Sequence, residues 1–160
     1  MCLLAGVATA HKHEELECWQ LADELKVRIY AILAKPQVAA DAGFCYQIRK
    51  SVRSAPALMA EGFARRQKEF KRYLEMAIGE IGETRNHLRD GAQSGHIAAD
   101  ELRDLWHLSY RARGAALGLL KYLERCVEGN EKGRPAPRKR KPPRKSRTKN
   151  TPKNPPKPAV

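Results

Sequence analysis

Glu61, Glu80 and Glu83 are the carboxylates best spaced for shared chemistry, because two adjacent helical segments carry them and can bring them face to face. A di-metal carboxylate centre inside a helical bundle also needs Glu-x-x-His pairs on two helices. The sequence has no such pair. Its histidines, His11, His13, His87, His96 and His107, are scattered, and His11-x-His13 near Cys18 is too sparse for a structural metal site. Cys2, Cys18, Cys45 and Cys126 lie far apart with no C-x-x-C among them, which reads as reduced thiols acting as small hydrophobes in a cytoplasmic protein. Ser54 has no glycine elbow around it, and no phosphate-cradling glycine loop occurs. The expectation is a protein that is not an enzyme and takes no metal and no cofactor.

Cations carry a stronger signal. Formal net charge is +13, and its distribution is uneven. Residues 129–160 hold twelve of the 31 Lys and Arg against one acid, a net +11, which leaves +2 on residues 1–128. Within that tail, Arg138, Lys139, Arg140, Lys141, Arg144, Lys145, Arg147 and Lys149 form a dense block. A flexible polycation gains free energy on RNA or DNA phosphates by releasing condensed counterions, and needs no fixed shape to do so. The block contains no aromatic residue, so it offers no stacking platform and predicts low sequence specificity. A solubilising tail, or one that touches anionic lipid, is the alternative. Arg49, Lys50 and Arg53 recur at helical spacing, and Arg65, Arg66 and Lys68 follow at a turn; together they are a possible secondary basic patch. For the turn cluster, a solvated helix end is the plainer reading.

The elements that position these groups are helical. Strand signatures are absent, and apolar residues recur at three and four. A first segment, from about Glu14 to Leu33, places Cys18, Ala22, Leu25, Ile29 and Ile32 on one stripe until Lys35-Pro36 ends it. A second starts at Asp41, a good N-cap, and carries Phe44, Ile48, Val52, Ala55, Met59 and Gly62 through a kink at Pro56. A third, about Lys68 to Gln93, carries Phe70, Leu74, Ala77, Ile81 and Leu88, with Gly91 and Gly95 marking a turn. A fourth starts near Asp100, carries Leu102, Leu105, Ser109, Ala112, Ala116, Leu119 and Leu123, and stops at Gly129. Four such helices hide their stripes by packing as an all-α, antiparallel up-down four-helix bundle. The expected domain order is a flexible extension over 1–12, the bundle over 13–128, and a disordered Lys/Arg/Pro-rich tail over 129–160, where eight of ten prolines fall. Residues 1–10 end in Ala-Thr-Ala but have no basic n-region, so a secretory signal is not expected. No apolar run is long enough to span a bilayer, and no membrane partner is expected. Surplus apolar residues (Trp106, Leu117, Leu120, Val127; Leu21, Tyr30) fit either self-association or a wider core.

Three stretches carry a family resemblance: Glu15-Leu16-Glu17-Cys18-Trp19-Gln20, then Gln47 through Phe63, then Glu69-Phe70 with Glu83-Thr84-Arg85-Asn86-His87-Leu88. Over about residues 13–127 the chain resembles the bacterial four helix bundle protein family, associated with intervening sequences in 23S ribosomal RNA genes. The S-x-P-x-x-x-A-E-G core, Ser54 to Gly62, is its most specific part. The resemblance implies an antiparallel bundle assembled as a homopentamer, without enzymatic activity or cofactor. It also implies kinship with the accessory variability protein of diversity-generating retroelements, which works with a reverse transcriptase. That kinship leaves a protein-interaction scaffold, or an accessory subunit with an incidental tail, as the alternative function. Ser54, Pro56, Glu61, Gly62 and Glu83 match the family motif and read as structural, with Glu61 and Glu83 expected to pair with Arg49 or Arg85. Two departures stand out: Leu58-Met59 replaces the usual Asn-Ile, and Gly79-Glu80 replaces Gly-Ser.

Overall fold

The computed structural model describes residues 10–132, with side chains through Cys126. Both the first nine residues and the basic block from Arg138 to Lys149 lie outside the described residues. Among the described residues there is no strand. A 3-10 turn at His13–Glu15 leads into α1, Glu17–Leu33, followed by a single-turn α2, Pro36–Ala39. Then come the long helices α3, Ala42–Phe63, α4, Gln67–Gln93, and α5, Ala99–Lys132. Going round the bundle the order is α1, α3, α4, α5, and each long helix packs on the two beside it. This is the antiparallel up-down arrangement that four amphipathic stripes joined by short turns require. No helix among the described residues is long and apolar enough to cross a membrane.

The stripes become the core. Leu25, Ile29, Ile48, Met59, Leu74, Ile81 and Leu88 are almost wholly removed from solvent. Leu16 and Val38 join them from the short connections, where no periodicity announces them. Val38 sits on α2, whose first residue is Pro36; proline suits that position because its missing N–H would go unpaired anyway. Cys45 donates its S–H to the Val38 carbonyl at 3.3 Å, tying the turn to α3. Leu21 is buried too, so part of the apolar surplus on α1 belongs to a wider core.

Helix boundaries follow the capping chemistry, with two differences. Asp41 caps α3 by accepting from the Phe44 N–H at 2.9 Å. Asp100, expected to cap the last helix, instead lies in its first turn. Glu101 reaches back and accepts from the Ala98 N–H at 3.1 Å, the glutamate half of a capping box, and this moves the cap from Asp100 to Ala98, two residues earlier. Gly129 does not stop α5, which continues to Lys132. Gly91 is not a turn residue: it is buried inside α4, and a Cβ there would meet Phe44 Cζ at 2.6 Å and Ile97 Cδ1 at 2.8 Å. Gly95, with φ of 75°, makes the turn alone, in a region that non-glycine residues rarely enter.

Helices α3 and α4 approach each other at three points where side chains are small. At one end stands Gly62, where a Cβ would fall 2.5 Å from Tyr73 Cβ. In the middle Ser51 and Thr84 are fully buried, with their hydroxyl oxygens 3.1 Å apart. Ser51 donates to the Ile48 carbonyl, and the single Thr84 proton has two acceptors, Ser51 Oγ and the Glu80 carbonyl, so neither hydroxyl is left unsatisfied. At the other end lies Gly91 beneath Phe44. Helix α3 itself runs unbroken through buried Pro56. Proline offers the Val52 carbonyl no donor, and Ser54 Oγ donates to the Lys50 carbonyl at 2.8 Å just before it.

Candidate nucleic-acid interface

The outer face of α3 carries Tyr46, Arg49, Lys50 and Arg53 at spacings of three and four, which places them side by side. All four are exposed, Tyr46 to 66%. None of the three cations forms an ion pair among the described residues. The Arg49 guanidinium lies 5.5 Å from the Tyr30 ring centroid on α1, a cation–π contact that holds it across the α1–α3 seam. Below it opens a groove of about 540 Å³ between α1 and α3, walled by Trp19, Lys26, Tyr30, Arg53, Pro56 and Ala57. Asp23 is the carboxylate at its edge, and it pairs with Lys26. His13 packs edge-on against Trp19 at 5.2 Å, closing one end.

The second cluster is separate from the first. Arg65, Arg66 and Lys68 sit at the α3–α4 turn, about 18 Å along α3 from Arg53 at 1.5 Å per residue. The secondary basic patch is therefore two patches. Arg65 donates to Glu61 Oε1 at 3.0 Å, while Arg66, Lys68 and Arg72 form no ion pair among the described residues. Lys71 stands 3.6 Å from Glu124 of α5, so this basic turn and the far end of α5 share one end of the bundle.

The expected carboxylate partners differ as well. Glu61 pairs with neither Arg49 nor Arg85: Tyr73 Oη donates to its Oε1 at 2.7 Å, and Arg65 completes the site. Those hydrogen bonds, Tyr73 first, hold the Glu61 carboxyl below its usual range, and Glu61 in turn raises the Tyr73 phenol. Glu83 lies 3.5 Å from His87, on its own helix. Glu80 is raised, by burial first and then by the Glu83 charge, with Lys50 opposing. Arg85 stacks over Trp106 at 4.2 Å, and its Nε is buried without a hydrogen-bond partner among the described residues. Glu61 and Glu83 thus serve different local contacts and do not converge. Among the described residues no group of three or more His, Cys, Asp or Glu is placed to hold a metal ion. Burial pushes the Cys18 thiol up to about 12, far from the range of a reactive thiolate.

The departures from the family pattern also find their places. Met59 is fully buried and Leu58 packs on the core, so apolar contacts fill the site where the usual motif has Asn-Ile. Gly79 faces open space on α4, beside Glu80. The family model described as "23S rRNA-intervening sequence protein" matches residues 14–113. The chain belongs to that family. No curated protein matches it. The intervening-sequence match takes in most of the 3-10 turn, α1 to α4 and about the first half of α5, and every named residue of the groove except His13. It stops before the end of α5 and the basic tail, which this member carries in addition.

Proposed function

We propose that this intervening-sequence protein is a non-enzymatic, self-associating helical bundle that holds RNA or DNA by its backbone. The observation that carries the reading is the segregation of charge, +11 on residues 129–160 beside +2 on the rest. Arg138, Lys139, Arg140, Lys141, Arg144, Lys145, Arg147 and Lys149 are the principal phosphate contacts in this reading. The exposed Arg49, Lys50 and Arg53, without an ion pair among the described residues, add a second region on the folded part, and Arg66 and Lys68 a third. Self-association belongs to the reading because Met76 and Tyr110 leave apolar surface on α4 and α5 at 47% and 65% exposure. Several tethered tails on one oligomer, a homopentamer by resemblance, bind one polyanion with avidity well above that of a single tail.

The test is a salt-dependent binding titration of the full chain against a variant with the eight block cations changed to glutamine. Full-length protein should bind RNA and DNA alike, and affinity should fall steeply with salt, at a slope near −0.7 to −0.9 per phosphate neutralised. The variant should lose most of that slope. Equal, salt-insensitive binding by both proteins refutes the tail as the contact, and recovery of one stoichiometric protein partner after nuclease treatment refutes the nucleic-acid reading. Sedimentation of the free protein tests self-association, and a monomer at all concentrations removes that element.

A further inference from the structure

The tail explains attraction to phosphate but has no means of telling a single strand from a duplex, because no aromatic residue lies in it. The folded part supplies that missing element. Tyr46 is 66% exposed on α3, Tyr30 is 36% exposed on α1, and Arg49, three residues on from Tyr46, has its guanidinium over the Tyr30 ring. Arg53 continues the row and forms the wall of the groove of about 540 Å³ that Trp19 and Pro56 floor. From Tyr46 to Arg53 the row spans two helical turns, about 10 Å.

We infer that the exposed α3 row and the α1–α3 groove it meets at Arg53 together form a site for single-stranded nucleic acid, in which unpaired bases stack on Tyr46 and Tyr30 while Arg49, Lys50 and Arg53 take the adjoining phosphates. The inference rests on the nucleic-acid reading above and deepens it by naming where unpaired bases are held. Each ingredient has a physical reason. Every base has a π-face, so an exposed phenol ring accepts any of them, but only when the base is out of a duplex. The cation–π contact holds the Arg49 guanidinium 5.5 Å from the Tyr30 ring centroid, so it needs little ordering to meet a phosphate or to extend that ring's face toward a base. The cations form no ion pair among the described residues, and the one carboxylate on the groove edge, Asp23, is already matched by Lys26. A polyanion therefore meets net positive charge there. The groove is wide and open along the surface, which suits an extended strand lying along it and not an enclosed ligand. A neutral peptide would leave the three cations unmatched, and an acidic one would match them but bring no base to stack on the exposed Tyr46 and Tyr30 rings, which is why the occupant is a nucleic acid.

The experiment uses the full-length protein with Trp106→Phe, which leaves Trp19 in the groove as the single tryptophan, excited apart from the five tyrosines at the red edge of its absorption. The probes are a single-stranded oligothymidylate and the duplex it forms with oligoadenylate. Single strand should quench Trp19 and bind more tightly than duplex. Tyr46→Ala or Tyr30→Ala should weaken single-strand binding roughly 5- to 100-fold, the effect of one lost stacking contact, and leave duplex binding unchanged. Tyr46→Phe should restore it, because the ring and not the hydroxyl stacks. Arg53→Gln should lower the single-strand salt slope by about one. If the protein binds both probes but Trp19 is silent and both alanine variants bind single strand like the parent, the groove is not the site and only the tail binds. If the full-length protein binds neither probe, the nucleic-acid reading itself falls, and the groove site with it.

Discussion

Replacing Gly62 by alanine sets two magnitudes against each other. In a helix interior, alanine is favoured over glycine by about 1 kcal/mol, and less near the last turn, where Gly62 stands. Against this, the new methyl would lie 2.5 Å from Tyr73 Cβ and 2.8 Å from Phe70 Cδ2. The Tyr73 atom is bonded directly to the α4 backbone, so no rotamer change removes it; α4 must shift away from α3. Overpacking of this kind costs about 1–3 kcal/mol, so the clash wins. Gly62→Ala is expected to destabilise by about 1–2 kcal/mol, lowering the urea midpoint by roughly 0.5–1 M with an unchanged m-value. Gly118→Ala is the control, since nothing lies within 4 Å of a Cβ there. With only the propensity term acting, that variant should gain about 0.5–1 kcal/mol. Equilibrium urea unfolding followed by far-UV circular dichroism reads both. A Gly62→Ala protein as stable as the parent would refute the claim that this glycine sets the α3–α4 distance.

Three further outcomes follow from the same geometry. Thr84→Val should cost about 1 kcal/mol, whereas Ser51→Ala combined with Thr84→Val should cost less than the two singles summed, because both ends of one buried hydrogen bond leave together; a double-mutant cycle by urea unfolding measures this. The Asp41 carboxyl is held below its usual range, first by the Phe44 N–H and then by His96, so its contribution is present above the unfolded value near 4 and is lost as pH falls through the lower folded value. Asp41→Asn keeps an acceptor at the cap and should flatten the pH dependence of stability in that acid window, measured by thermal unfolding across pH. Among Cys18, Cys45 and Cys126, the last should be alkylated first by iodoacetamide in the native protein, since the other two are buried and Cys18 is pushed up to about 12; mass mapping that finds Cys18 labelled first would contradict its burial.

Helix periodicity made most of the fold legible, because a stripe such as Leu25, Ile29, Ile32 repeats often enough to outweigh any single residue. Leu16 and Val38 were not legible, since each belongs to a connection too short to have a period. Gly91 misled for a related reason: sequence shows that a residue lacks a side chain, but not that Phe44 and Ile97 occupy the space. Asp100 and Glu101 compete for one helix start, and only geometry shows the longer side chain reaching back to Ala98. The cations of the candidate site were visible as a row on α3. Its aromatic half was less so. Tyr46 lies three and four residues before Arg49 and Lys50, a spacing readable in sequence, but the contribution of Tyr30 from α1 needs the packing of two helices.

The Lys71–Glu124 contact places the basic α3–α4 turn and the outgoing end of α5 together at one pole of the bundle. The chain therefore leaves its neutral body toward the tail from the pole that already holds Arg66, Lys68 and Arg72. Cations placed at one pole of a folded body, as Arg66, Lys68 and Arg72 are, give it a torque in the field of a polyanion as well as an attraction. It would arrive pole first and then swing its flank down, and the flank along α1 and α3 is the one that carries the groove. Salt that screens this torque slows productive landing before it weakens the landed state, so association rates should respond to ionic strength more steeply than dissociation rates do.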